Sequence, residues 1–162
     1  MKRFVMLLCL VWLLPLQAAD YRNAEVDQII ASGERPEGVV FELAAWGDNS
    51  WDWAAPMLSG LVERLRDAYP QLEIALVSHG FELFDLSHRS GKAEQASIRL
   101  LERIATEDID IHICGNFAGT RFYEPEDFFA FVDVAPSGPS QLEAYLKLGF
   151  TLVVLETPDG FD

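Results

Sequence analysis

Apolar strand-like runs alternate with helical repeats along most of this sequence, and that alternation limits the fold more than any other feature. The predicted strands cover residues 39–45, 72–78, 109–114, 131–136 and 150–156. The helical segments between them cover residues 50–70, 92–107, 124–130 and 137–149. Strands that alternate with helices form a parallel sheet covered on both faces. The sequence therefore predicts an α/β protein with three α/β/α layers around a mostly parallel five-stranded sheet.

The first 19 residues have the layout of a secretory signal peptide. Lys2 and Arg3 precede an apolar run over residues 4–16, and small residues follow before Asp20. The run is short for a spanning helix, although an uncleaved membrane anchor is the alternative interpretation. We therefore predict a periplasmic or secreted protein with no stable membrane span after signal cleavage.

The rest of the chain is long enough for one domain with a substantial core. Residues 20–38 are predicted to be an N-terminal segment and linker, with a short helix over 20–30. Residues 39–156 are predicted to form the α/β domain, and residues 157–162 a polar C-terminal tail.

The acidic balance limits the class of partner. The full chain has 12 Lys and Arg against 26 Asp and Glu. Removal of the signal peptide takes Lys2 and Arg3 away, which leaves 10 basic residues and a net charge of −16. Binding to nucleic acid or to anionic lipid needs clustered basic residues, so we expect neither as a partner.

Cysteine usage singles out one thiol. Cys9 lies in the predicted signal peptide, so Cys114 is the only cysteine expected in the mature protein. A lone thiol in an exported chain is buried and inert, pairs between chains, or is reactive.

Polar and glycine residues follow four of the predicted strands at the point where each strand ends. The carboxyl ends of parallel strands lie along one edge of the sheet, and ligands of open α/β folds bind at that edge. We therefore expect a catalytic Cys114 and a binding site at this edge, formed by His79, Gly80, Gly115, Asn116, Ser137 and Gly138.

Each of these residues also has a purely structural interpretation. His79 would then end a strand, Ser137 would cap the last helix, and Asn116 would hold a loop. Three tryptophans follow the first strand, at positions 46, 51 and 53, and packing or a subunit interface would explain them.

No cofactor or metal ion is predicted. His112 and Cys114 alternate on one strand and share a face, but no further cysteine is near and the other histidines are distant in sequence. The sequence contains neither a phosphate-binding glycine loop of known spacing nor a GxSxG motif.

Several segments in order resemble the DsrE/DsrF-like family: ALVSHGFEL, IDIHICGNF, EPEDF and VDVAPSGPSQLEAYLKLGF. The resemblance implies a flavodoxin-like sheet, assembly into trimers or hexamers, and, in one branch, sulfur relay. In that branch a cysteine after the third strand carries sulfur as a persulfide, and Cys114 matches its position. This chain departs from that branch in its export signal and in having only Arg121 as a nearby basic residue.

Two functions are therefore open. In the first, Cys114 is the persulfide acceptor of a sulfur carrier or transferase, which exchanges sulfur with a donating or accepting protein. His79 or the amino end of a helix would stabilise its thiolate. In the second, the chain is a non-catalytic oligomeric module that binds a ligand or protein in the periplasm. Cys114 is then structural, and a loop with Trp51 and Trp53 forms the surface.

Overall fold

A computed structural model describes residues 21–158 of the chain. The predicted signal peptide and most of the predicted tail lie outside the described residues. Within residues 21–158, no helix has both the length and the apolar character needed to cross a membrane.

The core element is a sheet of five parallel strands. They are β1 (Gly38–Leu43), β2 (Glu73–Ser78), β3 (Ile109–Cys114), β4 (Asp133–Ala135) and β5 (Phe150–Val154). Their order across the sheet is β4-β3-β2-β1-β5, and every neighbouring pair is parallel. Helices cover both faces, so the predicted three-layer, flavodoxin-like fold is confirmed.

The helices divide unequally between the two faces. They are α1 (Ala24–Ser32), α2 (Trp51–Ala68), α3 (Ala96–Ala105), α4 (Gly115–Gly119) and α5 (Gly138–Lys147). Buried residues of α1, α2 and α3 join one large apolar cluster with Phe41, Leu76 and Ile111. Leu142 and Tyr145 of α5 form a smaller cluster with Val40, Ala75 and Val77. We call these two sides of the sheet the α2 face and the α5 face.

The helix α2 begins at Trp51, within one residue of the start of the predicted helical segment 50–70. Trp51 and Trp53 therefore belong to the helix, and both are buried in the core of the monomer. The prediction that a loop carries these two tryptophans on the surface is wrong, because their rings contribute to the large apolar cluster.

The connection from β3 to β4 also differs from the prediction. The expected helix over residues 124–130 is a single 3-10 turn over Pro125–Asp127. Beyond that turn the backbone is held by other contacts, since Phe129 N–H donates to the Leu86 carbonyl at 3.0 Å and Phe128 pairs with Ser87. The chain stays extended there and buries the rings of Phe128 and Phe129 instead of continuing as a helix.

The start of α5 is set by Ser137. Ser137 is the N-cap residue, as its structural interpretation predicted, and its hydroxyl oxygen accepts from Ser140 N–H at 3.5 Å. The helix ends at Lys147, and Gly149 after it has a φ of +88°, a conformation that favours glycine.

Candidate functional site

Three of the predicted site residues meet at the carboxyl edge of the sheet. His79 follows β2, Cys114 ends β3, and Gly138 begins α5. A Cβ atom built on Gly138 would lie 2.6 Å from His79 Cβ and 3.3 Å from Cys114 Cβ. Only glycine fits between them, so the absence of a side chain at position 138 lets the first turn of α5 lie against both residues.

His79 is held by backbone and side-chain contacts. Its N–H donates to the Leu43 carbonyl at 2.9 Å, which continues the pairing of β2 with β1 beyond the strand. Its Nε2 lies 2.8 Å from Glu42 Oε1, and both side chains are mostly buried. A carboxylate on Nε2 fixes the orientation of the ring.

Cys114 is a free thiol with 6% of its surface exposed. It ends β3 and occupies the N-cap position of the short helix α4. Its Cβ atom also lies beside the amino end of α5, where the positive end of the helix dipole favours a negative charge.

Gly115 and Asn116 join the end of β3 to the end of β4. A Cβ atom on Gly115 would lie 2.9 Å from the Ala135 carbonyl oxygen, so this position needs glycine for close backbone approach. Asn116 N–H donates to the Pro136 carbonyl at 3.0 Å, and its side chain is exposed. These contacts keep Cys114 and the cap residue Ser137 at the same edge.

Gly80 is close to the same edge but is buried in a packed turn. A Cβ atom there would lie 2.4 Å from the Ala45 carbonyl oxygen and 2.4 Å from Glu82 Oε2. The observed contact of Gly80 is therefore with the chain that leaves β1.

Glu82 was not among the predicted site residues, and its carboxylate joins the turns after β1 and β2. It is 2% exposed and accepts from Ala45 N–H at 2.8 Å, Ser78 hydroxyl at 2.8 Å and Gly80 N–H at 3.0 Å. Burial raises the pKa of Glu82, and these donors oppose the rise by stabilising the charged form. An acid inside the apolar stretch FELF was the signal in the sequence.

A second polar group, on the α5 face, was also not expected. His112 Nε2 lies 2.8 Å from the Tyr145 hydroxyl, which also lies 3.4 Å from Asp110 Oδ2. Burial lowers the pKa of His112, while Asp133 and Asp110 act in the opposite direction. Burial, followed by the charge of Asp110, raises the pKa of Tyr145 to about 12. The tyrosine therefore stays neutral and acts as a hydrogen-bonding partner.

An aromatic cluster lies beside the site at the carboxyl edge. Trp46 contacts Phe81 with ring centroids 5.1 Å apart and Phe117 at 6.2 Å. The Arg121 guanidinium lies over Phe81 at 4.5 Å and over Phe84 at 4.8 Å. Trp46 is 68% exposed, so of the three tryptophans after β1 it is the one that offers a surface.

Two solved structures share this fold. A protein of unknown function, MTH1491 from Methanobacterium thermoautotrophicum, matches with a TM-score of 0.59 and 18% identity, over 72% of this chain and 97% of its own. The ychN protein from E. coli matches with a TM-score of 0.56 and 12% identity, over 74% of this chain and 99% of its own. No family model and no curated protein matches the sequence. The resemblance to DsrE-like proteins is thus supported at the level of the fold.

Proposed function

We propose that this protein is a DsrE-like sulfur carrier or transferase in which Cys114 accepts sulfur as a persulfide. The observation that carries the proposal is the position of Cys114 at the end of β3, beside the amino end of α5 and close to His79. In this proposal Cys114 reacts as the thiolate, which is the nucleophilic form of cysteine. The shared fold with MTH1491 and the ychN protein supports the resemblance but carries no activity with it.

The proposed step transfers one sulfur atom without net oxidation. Cys114 Sγ attacks the terminal sulfur of a donor persulfide, and a new S–S bond forms as the S–S bond of the donor breaks. The proton released by Cys114 neutralises the thiolate that leaves on the donor. Asn116 and Ser137, which lie at the same edge, would donate hydrogen bonds to the terminal sulfur of the product.

The partner in this proposal is a protein that donates or accepts sulfur. We also propose that residues 1–19 are removed on export and that the protein acts in the periplasm. N-terminal sequencing of the protein recovered from the periplasmic fraction would test this, and an intact residue 1 in the membrane fraction would contradict it.

Intact-mass spectrometry after incubation with a small-molecule persulfide tests the role of Cys114. We expect the mass of one added sulfur atom, lost on reduction, and fast alkylation of the native protein. The test uses residues 20–162, in which Cys114 is the only cysteine, and Cys114→Ser is the matched control. A thiol that reacts only after unfolding, or sulfur loading that survives in Cys114→Ser, would contradict the proposal.

The 6% exposure of Cys114 favours a second candidate function. In this alternative the chain is a non-catalytic oligomeric module that binds a ligand or protein in the periplasm, and Cys114 only packs. The resemblance implies a trimer or hexamer. Native mass spectrometry of Cys114→Ala and Trp46→Ala would then show an unchanged assembly for the first variant and a weakened one for the second.

A further inference from the structure

We propose that the carboxyl ends of β1 and β5 form a binding site for a small planar monocarboxylate. The strand order reverses at this pair, because the chain runs outward from β1 through β2, β3 and β4 and then returns to place β5 on the other side of β1. Such a reversal opens a crevice at the carboxyl edge of a parallel sheet. This site goes beyond the proposed sulfur function, since Cys114 ends β3 and β2 separates that strand from β1.

A cavity of about 540 Å³ lies at this place. Ala44, Trp46 and Asp48 line it from the chain that leaves β1, Trp53 lines it from α2, and Thr157 lines it from the chain that follows β5. Its volume is within the range of about 300–1,000 Å³ that small-molecule sites in proteins occupy.

Trp53 supplies a hydrogen-bond donor that the fold leaves unused. The residue is 4% exposed, and its indole N–H has no hydrogen-bond partner among residues 21–158. No fully buried side-chain nitrogen in this part of the chain lacks a partner, so the Trp53 N–H reaches open space. Trp53 lines the cavity, and in the proposed site its indole N–H faces that space. A buried tryptophan normally pairs its N–H, and an acceptor in the cavity would satisfy it.

The amino end of α2 lies beside the same cavity and adds further donors. The Ser50 hydroxyl donates to the Gly47 carbonyl at 2.7 Å, so it does not cap the helix. The backbone N–H groups of Trp51 and Trp53 have no acceptor in the described part of the chain. Free N–H groups and the positive dipole end of an 18-residue helix favour an anionic oxygen.

The shape and charge of the remaining lining define the rest of the ligand. The Trp46 ring forms a T-shaped pair with Phe81 and is 68% exposed, which leaves ring area for stacking with a planar group. Asp48 also lines the cavity, and its negative charge repels anionic ligands, those with several negative charges more than those with one. A ligand with a planar apolar body and a single carboxylate fits the N–H donors, the exposed Trp46 ring and the negative charge of Asp48.

Titration with 2-naphthoate, followed by the indole N–H signals in ¹H–¹⁵N correlation spectra, tests the site. We expect the Trp53 signal to shift and the Trp51 signal to stay, because the Trp51 indole N–H already donates to the Glu82 carbonyl at 2.8 Å. The chain has four tryptophans, so Trp→Phe variants assign the signals. No shift of the Trp53 signal at roughly millimolar naphthoate, or equal shifts of both signals, would overturn the proposal.

Variants separate the contribution of the Trp53 indole N–H from that of the Asp48 charge. Trp53→Phe is expected to weaken naphthoate binding by about tenfold, since a hydrogen bond to a charged group is lost. Asp48→Asn changes an exposed residue and is expected to tighten naphthoate binding by about threefold. The neutral probe 2-naphthamide should bind more weakly than naphthoate, and equal affinities would overturn the carboxylate assignment. Cys114→Ala should leave naphthoate binding unchanged, so this result and the sulfur-loading result are independent.

Discussion

The two faces of the sheet differ in how completely they are covered. On the α2 face, α1, α2 and α3 contribute to one large cluster of buried apolar side chains. On the α5 face, one helix of ten residues covers the sheet, and the buried cluster consists of Val40, Ala75, Val77, Leu142 and Tyr145.

The ionisable side chains of the strands follow the same division. Glu42, His112 and Asp110 alternate with residues of the α2-face cluster, so they lie on the α5 face, and His79 bonds to Glu42 there. A charged group costs less free energy where water still reaches it. We therefore expect the α2 face to supply most of the stability. The thinner cover of the α5 face leaves room for His79 at its carboxyl end, while Cys114 packs with the α2-face cluster.

The largest effect is expected for a cavity on the α2 face. Leu61 of α2 is fully buried, so Leu61→Ala should lower the free energy of unfolding by about 4 kcal/mol. Leu146→Ala on the exposed side of α5 is the matched control and should change it by less than about 1 kcal/mol. Urea unfolding measures both, and similar losses in the two variants would remove the basis of the comparison.

A smaller loss of stability is expected when the buried carboxylate of Glu82 is replaced. Glu82→Gln places an amide NH₂ among the donors Ala45 N–H, Ser78 hydroxyl and Gly80 N–H, and the two backbone groups cannot turn away. We expect a loss of about 2 kcal/mol.

The exposed Glu143 pairs with Lys147 at i,i+4, so Glu143→Gln is a control for the Glu82 variant. It should cost at most about 0.5 kcal/mol in the same unfolding measurement. If Glu82→Gln proved as mild as Glu143→Gln, the carboxylate would not be what joins the two turns.

A cavity on the α5 face should cost less than one on the α2 face. Leu142 lies in the small cluster under α5, and Leu142→Ala is expected to lower the free energy of unfolding by about 2 kcal/mol. Leu148→Ala, at the exposed end of the helix, serves as control. A loss equal to that of Leu61→Ala would mean that the two faces contribute alike.

The smallest expected effect is the dependence of the free energy of unfolding on pH that His112, on the α5 face, causes. Burial lowers the pKa of His112 below its ordinary value of 6.5, so the unfolded chain takes up a proton at a higher pH than the folded protein. The contribution of neutral His112 is present above pH 6.5 and is lost as the pH falls through the lower folded value.

Urea unfolding of the wild type and of His112→Asn between about pH 8 and pH 5 measures this contribution of His112 to stability. The advantage of the wild type over the variant should shrink as the pH falls. An advantage that grows instead would mean that Asp110 and Asp133 outweigh burial.

Much of the fold could be predicted because its signals are local. The apolar runs of β1, β2 and β5 and the helical spacing of Leu58, Leu61 and Leu65 are visible in the sequence. The burial of Trp51 was missed because it depends on a distant contact, the bond from the Trp51 indole N–H to the Glu82 carbonyl. Phe128 and Phe129 were placed in a helix for the same reason, since their partners lie near Leu86.

The candidate site also has one part that the sequence predicts and one part that depends on distant contacts. The convergence of His79, Cys114 and Gly138 follows from parallel strands, whose carboxyl ends share one edge. The contacts of Glu82 with Ala45 and of His112 with Tyr145 join residues 37 and 33 positions apart, and no local pattern marks such pairs.

The strands at the two borders of the sheet restrict how copies of this chain can add to one another. At one border β4 has only three residues and carries the exposed acid Asp133. At the other border β5 has five residues, and the Asn23 amide donates to its Val154 carbonyl at 3.1 Å. A strand from another molecule could therefore pair only with the short, charged β4 on one side or with β5 on the other, where the Val154 carbonyl already has a partner. Both features protect the sheet against edge-to-edge aggregation.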